Sequence, residues 1–393
     1  MSGGVQIIGL DEVIAKRNGS VDPSKFPGEI FELLSIPAFD SGHPEIIAGA
    51  EIGSTKQVVQ EGDVLLSKIV PHIRRAWVVK PTTNYRLIAS GEWIVFRDSR
   101  FDPGYLRHLL ISEEFHRQFL QTVSGIGGSL MRARPAEVAK IKVPLAPKNE
   151  QRRIASILDK ADSLRRKRQE SMRLAETFLR AAYLDLAKRY SHRSPVESVL
   201  ANIRNAARTG PFGSQLLVSE FTETGIPVLG IDNVVSNSFT WGARRFVSPE
   251  KYAELERYTV RPGDVMVTIM GTTGRVAIAP DDLPTCISTK HLCTLSLNQK
   301  KMRPSYLWAC LRWDPEVRAQ AKRESKGAIM EGWNMGIVKN LMVSEPPIEV
   351  QLKFEALLTQ VEKFTMRASK AADETDAMIA SLSSKYLSLP ITV

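Results

Sequence analysis

The chain has 393 residues, enough for two or three domains of ordinary size, and its 43% hydrophobic and 24% charged content is that of a soluble globular protein with material for more than one core. Lys and Arg outnumber Asp and Glu by 53 to 43, a formal charge of +10 that favours a polyanionic partner, nucleic acid or an anionic membrane surface. No run approaches the ~20 consecutive apolar residues of a membrane span. The first residues show neither the basic region nor the apolar region of a signal peptide, and the odd number of cysteines (Cys286, Cys293, Cys310) argues against a disulfide scaffold; a cytoplasmic protein is expected.

Taken in order, the first half opens with short alternating runs punctuated by Gly and Pro, such as 63–70 and 92–96, which read as strands. A helix is predicted at 103–122, with Pro103 at its start. A Pro-containing connector at 143–147 then leads into a stretch, 149–190, with no Gly or Pro. There Ile154, Ile157, Ala161, Leu164, Ser171, Ala175, Phe178 and Ala182 fall at heptad spacing, with Arg168 interrupting the seam. The second half runs the same way: strands at 264–269 and 291–297, a helix at 304–323, a connector at 343–347 and a Gly- and Pro-free stretch at 349–388. In that last stretch Phe354, Leu357, Val361, Phe364, Ala368 (with Ala371), Thr375, Met378 and Leu382 repeat the register.

The likeness of the two halves is a repeat with a period of about 200 residues. Gly62-Asp63-Val64 returns as Gly263-Asp264-Val265, and Tyr105-Leu106 returns as Tyr306-Leu307. Val138 and Val143 return as Val338 and Val343, and Gln151 with Leu158 returns as Gln351 with Leu358. Four landmarks in one order imply a duplication about a pseudo-twofold axis. An amphipathic helix of ~40 residues, roughly 60 Å long, cannot bury its stripe on itself, and its own duplicate is the natural antiparallel partner. The first long helix carries a surplus of positive charge that the second lacks; its run Arg165, Arg166, Lys167, Arg168 reads either as a solvated face or as a contact with nucleic acid or a partner subunit.

The connector Pro144–Pro147 followed by Glu150-Gln151 and a helix resembles the pattern of specificity subunits of type I restriction–modification enzymes. Gly210-Pro211-Phe212-Gly213-Ser214 and the stretch 225–229 look like the opening of a target recognition domain; Gly62-Asp63 and Gly263-Asp264 stand where that family has its strand-leading Gly-Asp, and Gly127-Gly128-Ser129 where a Gly-rich turn is common. The resemblance covers essentially the whole chain. It departs at Val350, where Glu would stand, and in the first half, which has Lys25–Phe31 in place of the Gly-Pro-Phe-Gly-Ser opening.

The resemblance implies an α+β fold: two mixed α/β target recognition domains (1–148 and 191–347) joined by a pair of long antiparallel coiled-coil helices (149–190 and 348–389). Each domain would read one half of a bipartite site in double-stranded DNA. The helices would space the domains and dock methyltransferase subunits, two of them, with motor-endonuclease subunits as further partners. S-adenosylmethionine, ATP and magnesium would be used in those partners only, leaving this chain without a cofactor and without catalysis. A non-DNA coiled-coil scaffold and a nuclease are the alternatives.

The residues themselves carry no familiar catalytic pattern. Gly271–Arg275 is Gly-rich but lacks the Lys of a phosphate-wrapping loop, and Gly125–Leu130 ends in Leu where a dinucleotide fingerprint needs Gly. Asp63 with Lys68 reads as a turn Asp ahead of a strand rather than part of a metal site. Cys286, His291, Cys293 and Cys310 lack paired zinc-ligand spacing and read as core thiols. DNA contacts call for Lys, Arg, Asn, Gln or Thr on loops between strands. In the first half these are Lys68 on the Gly-Asp strand, then His72, Arg74, Arg75, Arg132 and Arg134. In the second they are Arg244 and Arg245 beside Trp241, then Thr272, Thr273, Arg275, Lys290 with His291, and Lys322, Arg323 and Lys326. The matched loops 68–75 and 270–275 are the best candidates.

Overall fold

The structure, a computed structural model, describes residues 6–16, 18–125, 131–325 and 332–388. Its contacts divide the chain into two units, Met1–Gln169 with Ser369–Val393, and Glu170–Ala368. Each unit holds a mixed α/β body together with one stretch of each long helix.

In the first unit a three-stranded antiparallel sheet has Val64–Ser67 between Ala76–Val78 and Trp93–Phe96, with Leu65 opposite Trp77 and Val95. The second unit repeats it: Val265–Thr268 lies between Val276–Ile278 and Leu292–Leu295, with Met266 opposite Ala277 and Thr294. Here Ala207–Thr209 adds a fourth strand on the edge of Leu292–Leu295. Beside each of these sheets lies one with a parallel pair at its centre. In the first unit Ile30–Leu34 runs parallel to Arg86–Ala89 inside five strands; in the second Ile226–Leu229 runs parallel to Cys286–Ser288 inside four. Both parallel pairs are short and largely buried, as apolar strands covered on two faces should be.

The Gly-Asp landmark explains itself in this setting. Gly62 (φ +86°) and Gly263 (φ +78°) take the left-handed conformation that a tight turn into a central strand requires. The next residue, Asp63 or Asp264, is buried. Its carboxylate accepts the backbone N–H three residues back, from Gln60 at 3.0 Å and from Arg261 at 2.7 Å. Each carboxylate also needs a cation. Asp63 takes Arg97 in a two-pronged contact at 2.7 and 2.6 Å; Asp264 takes Arg208, which comes from the extra edge strand. The same buried charge is thus neutralised from two different places.

The helix predicted at 103–122 is two helices, Pro103–Ile111 and Glu113–Gln121, and that at 304–323 is Pro304–Trp313 and Pro315–Glu324. Ser112 leaves the helical conformation and caps the second helix, accepting from Phe115 N at 3.3 Å. In the second unit Asp314 does the same, accepting from Glu316 N at 2.9 Å, and the following Pro315 drives it out of the helical region.

The glutamines of the two connectors are buried clamps. Gln151 accepts from Asp102 N at 2.7 Å and donates to the carbonyls of Arg100 (3.0 Å) and Ala146 (2.8 Å). Gln351 accepts from Arg303 N at 2.8 Å and donates to Lys301 O (2.9 Å) and Pro346 O (2.8 Å). One side chain in each unit therefore ties the start of a long helix to the connector before it and to the loop that enters the helix pair.

The long helices run Lys148–Arg189 and Ile348–Leu387. In the first unit Ile154 and Leu158 share a core with Ile379, Leu382, Tyr386 and Leu387. In the second, Leu179 and Tyr183 share one with Phe354, Leu358 and Val361. In both, the two helical stretches run antiparallel. The expected seam needs a correction. Leu164, Phe178, Phe364 and Met378 are 45–54% exposed, whereas Leu158, Leu179 and Leu358 are at most 5% exposed. The inward positions are 154, 158, 161, 165, 168, 172, 175, 179, 182 and 186, with the same ten positions 200 residues later. Alternate members thus sit one residue further on. Arg168 does stand in the seam, where it donates to Ala371 O and Thr375 Oγ1, while Arg165 pairs with Asp162 (3.2 Å) and Asp376 (3.7 Å). Two members of the basic run are therefore engaged inside the helix pair of the first unit.

Candidate nucleic-acid interface

Both best candidate loops are the hairpin connections that follow the Gly-Asp strand. They are held by equivalent bonds. Ser67 N donates to Arg75 O (3.0 Å), Lys68 N to Glu92 O (3.0 Å) and Ala133 N to Lys68 O (2.8 Å). In the second unit Thr268 N donates to Arg275 O, Ile269 N to His291 O and Trp333 N to Ile269 O, each at 2.9 Å. Backbone thus pins the base of each hairpin and leaves its tip to vary.

The tips differ. In the second unit the tip turns on Gly271 and Gly274, both left-handed at φ +72° and +73°. Gly274 packs against the Trp333 ring, which a Cβ would meet at 3.1 Å. The Thr268 hydroxyl closes the loop by donating to Thr272 O, and Arg275 N donates to that hydroxyl at 2.9 Å. Thr272 and Arg275 are exposed, Thr273 is half-buried, and no ion pair engages Arg275 among the described residues. Exposed Lys290 stands beside the half-buried His291. Burial holds the His291 imidazole below its ordinary value, helped by the charges of Lys290 and Arg245. Arg312 belongs to the same region, since the Arg275 charge bears on it; its guanidinium lies 4.9 and 5.1 Å from the Trp308 and Trp313 rings and pairs with Glu176. Its place in a helix gave no sign of this in the sequence.

In the first unit the tip is tighter and more of its charge is spoken for. Val70 holds φ +47°, a strained conformation for a β-branched residue, with its N–H on Met131 O at 3.3 Å. Arg75 is buried and turned inward, binding Asp40 at 2.8 and 3.0 Å, which holds that carboxyl below the usual range. Arg74 is exposed but bound to Glu113, and Arg132 to Glu92 at 3.1 Å. Arg134 donates to Thr122 O at 3.3 Å. Lys68 lies one residue beyond the strand rather than on it, half-buried, and His72 is exposed near His116.

The structure thus brings together Thr272, Thr273, Arg275 and Lys290 with His291 in the second unit, and Lys68 with Arg132 and His72 with Arg74 in the first. Arg244 is exposed and Arg245 pairs with Asp232, both along a neighbouring cavity. Lys322 and Arg323 are exposed on the last turn of Pro315–Glu324, and no bond among the described residues links them to the hairpin. Gly127–Ser129 and Lys326 lie outside the described residues.

Among the described residues no cluster of His, Cys, Asp and Glu could hold a metal ion, and no helix is long and apolar enough to cross a membrane. The three cysteines are free and buried, and burial pushes each thiol up to about 12. Asp63, bound to Arg97 and Gln60 N, is a structural turn residue.

The chain has the fold of type I restriction–modification specificity subunits. It matches the type I S subunit from M. genitalium with a TM-score of 0.61 at 10% identity, over 98% of this chain and 96% of that one. It also matches a chain of a type I R-M system, solved to explain complex assembly and conformational transition, with a TM-score of 0.56 at 21% identity over 98% and 97%. In sequence it is 24% identical over 191 residues to the EcoBI type I restriction enzyme specificity subunit of Escherichia coli. That match spans 49% of this chain and 40% of the length of the relative. No family model matches the chain.

Proposed function

We propose that this chain is the DNA-specificity subunit of a type I restriction–modification complex. The recognition domains, 1–148 and 191–347, each read one part of a split site in double-stranded DNA. The two long helices set the distance between the parts and dock two methyltransferase subunits. S-adenosylmethionine, ATP and magnesium serve the partners, including motor-endonuclease subunits where the system also cuts. This chain supplies recognition and no catalytic group.

One observation carries the reading. The bonds that build the scaffold recur residue by residue in the two units, while the hairpin tips they support differ in backbone, charge and partners. A duplicated scaffold with unlike tips suits a reader of two unlike sequences, because base edges in a groove are distinguished by the donors and acceptors at a loop tip. An asymmetric target follows, where a true homodimer would read a palindrome.

The test is to map methylated adenines in a genome carrying this gene with its methyltransferase. A site of two unlike parts separated by a constant gap is expected; a continuous or palindromic site overturns the reading. Binding should also weaken steeply as salt rises, through counterion release, whereas a protein scaffold without DNA would show little salt dependence.

A further inference from the structure

Beside the hairpin of the second unit lies a cavity of about 290 Å³, lined by Leu229, Asn233, Trp241, Arg244, Arg245 and Phe246 among others. Its walls are built, not incidental. Asn233 accepts from Gly230 N at 2.8 Å and donates to Thr240 O at 2.9 Å. Asp232 accepts from Ala243 N at 2.9 Å and holds the Arg245 guanidinium. That guanidinium lies against Gly230, where a Cβ would meet it at 2.5 Å. Arg245 is therefore fixed in place, yet its buried Nε has no hydrogen-bond partner. Arg244 is exposed and makes no ion pair among the described residues. Trp241 is 47% exposed and packs at 83° against the Phe239 ring, ring centres 5.1 Å apart.

Apolar walls, an exposed indole and the exposed Arg244 guanidinium are the chemistry of a nucleotide site: a ring to stack on a base and a cation for its phosphate. The volume is at the small end of the ~300–1,000 Å³ of ligand sites, room for one base and not for a pair. The cavity also adjoins the candidate reading surface. Ile231, next to Gly230, is what a Cβ on Gly271 of the hairpin tip would meet at 3.2 Å, and the Arg245 charge bears on His291. We infer that this cavity takes one unstacked nucleotide of the bound DNA, its base on Trp241 and its phosphate on Arg244. This rests on the DNA-reading function proposed above.

Extruding a base costs least where its pair is already broken. The full chain, without a methyltransferase that could itself hold a base, is titrated with duplexes of the mapped site in which each base pair is opened in turn by a mismatch. At one position of the part read by the second unit the mismatch should tighten binding several-fold; elsewhere it should weaken binding or leave it unchanged. Trp241→Ala should abolish that tightening and weaken binding by about five- to a hundred-fold, the range of one lost stacking contact. Trp241→Phe, which keeps a ring, should retain it. If the chain binds its site and no mismatch tightens binding, or if Trp241→Ala leaves the tightening intact, the pocket does not hold a base while DNA reading stands. Absence of sequence-specific binding overturns both.

Discussion

The two units solve one structural problem in two ways. Each must bury an aspartate at the start of its central strand, and each must hold a hairpin beyond it. In the first unit the cation for Asp63 is Arg97, whose side chain is 34% exposed; in the second, Arg208 and Asp264 are each only 3% exposed. The difference extends to the hairpins. The first spends Arg75 on Asp40 and Arg74 on Glu113, whereas in the second no ion pair engages Arg275 among the described residues. Duplicated scaffolds thus keep their backbone bonds and exchange the charges around them. In the buried pair neither charge can be removed without stranding the other, whereas the exposed Arg275 is open to solvent.

Paired substitutions test the contrast between the units. Arg208→Ala leaves Asp264 buried without its cation and should cost about 3–5 kcal/mol in chemical denaturation. Arg97→Ala, whose site water reaches, should cost clearly less, and equal losses would dissolve the contrast. Replacing Gln151 or Gln351 by Leu leaves three backbone groups without their partner, one buried and two part-buried, and should cost about 3 kcal/mol in either unit. Here the two should agree, because the bonds are the same; a large difference would mean that the repeat is not one scaffold. For DNA, Arg275→Ala should lose about 1–3 kcal/mol and relax preference in one part of the site only. Arg74→Ala should lose at most about 1 kcal/mol, since Glu113 already engages that side chain. Competition binding with each part of the site randomised separates the two.

The smallest effect concerns pH. His108 in the first unit is buried against Arg107 and Asp159 (2.8 Å to each), where the second unit has Ala309. Burial holds its imidazole below the ordinary value, with Arg107 adding to the shift and Asp159 opposing it. The unfolded chain therefore takes up a proton below about pH 6.5 that the folded chain resists, and stability falls as pH drops. His108→Gln should flatten the dependence of the thermal midpoint between pH 7 and 5; an unchanged slope would assign the loss to other groups.

Much of this architecture was legible in the residues. The repeat landmarks turned out to be its joints: Gly-Asp for the strand entry, Gln for the helix clamp, Tyr105 and Tyr306 for the buried face of the first helix of each pair. These could be read because each requirement is local. Only Gly takes the left-handed turn without strain, and a proline blocks a helix wherever it falls. The Ser112 break was not legible, because no proline marks it and the serine acts as a cap only once the chain turns.

Burial was the harder matter. Arg75 and Arg74 are neighbours of one type, yet one points inward to Asp40 and the other outward to Glu113, which only the position of the segment 36–41 decides. The heptad register shows the same limit. Ile157 stands beside Leu158, Phe178 beside Leu179 and Leu357 beside Leu358, so the apolar pattern offers two stripes. At 3.6 residues per turn, positions three and four residues on lie almost equally near one face. Two like units, two long amphipathic helices and two unlike hairpin tips follow from the residues alone. Which stripe faces inward, which arginines are spent on carboxylates and which stay open to a ligand were decided by the tertiary structure, because those choices depend on partners about 200 residues away or on another strand.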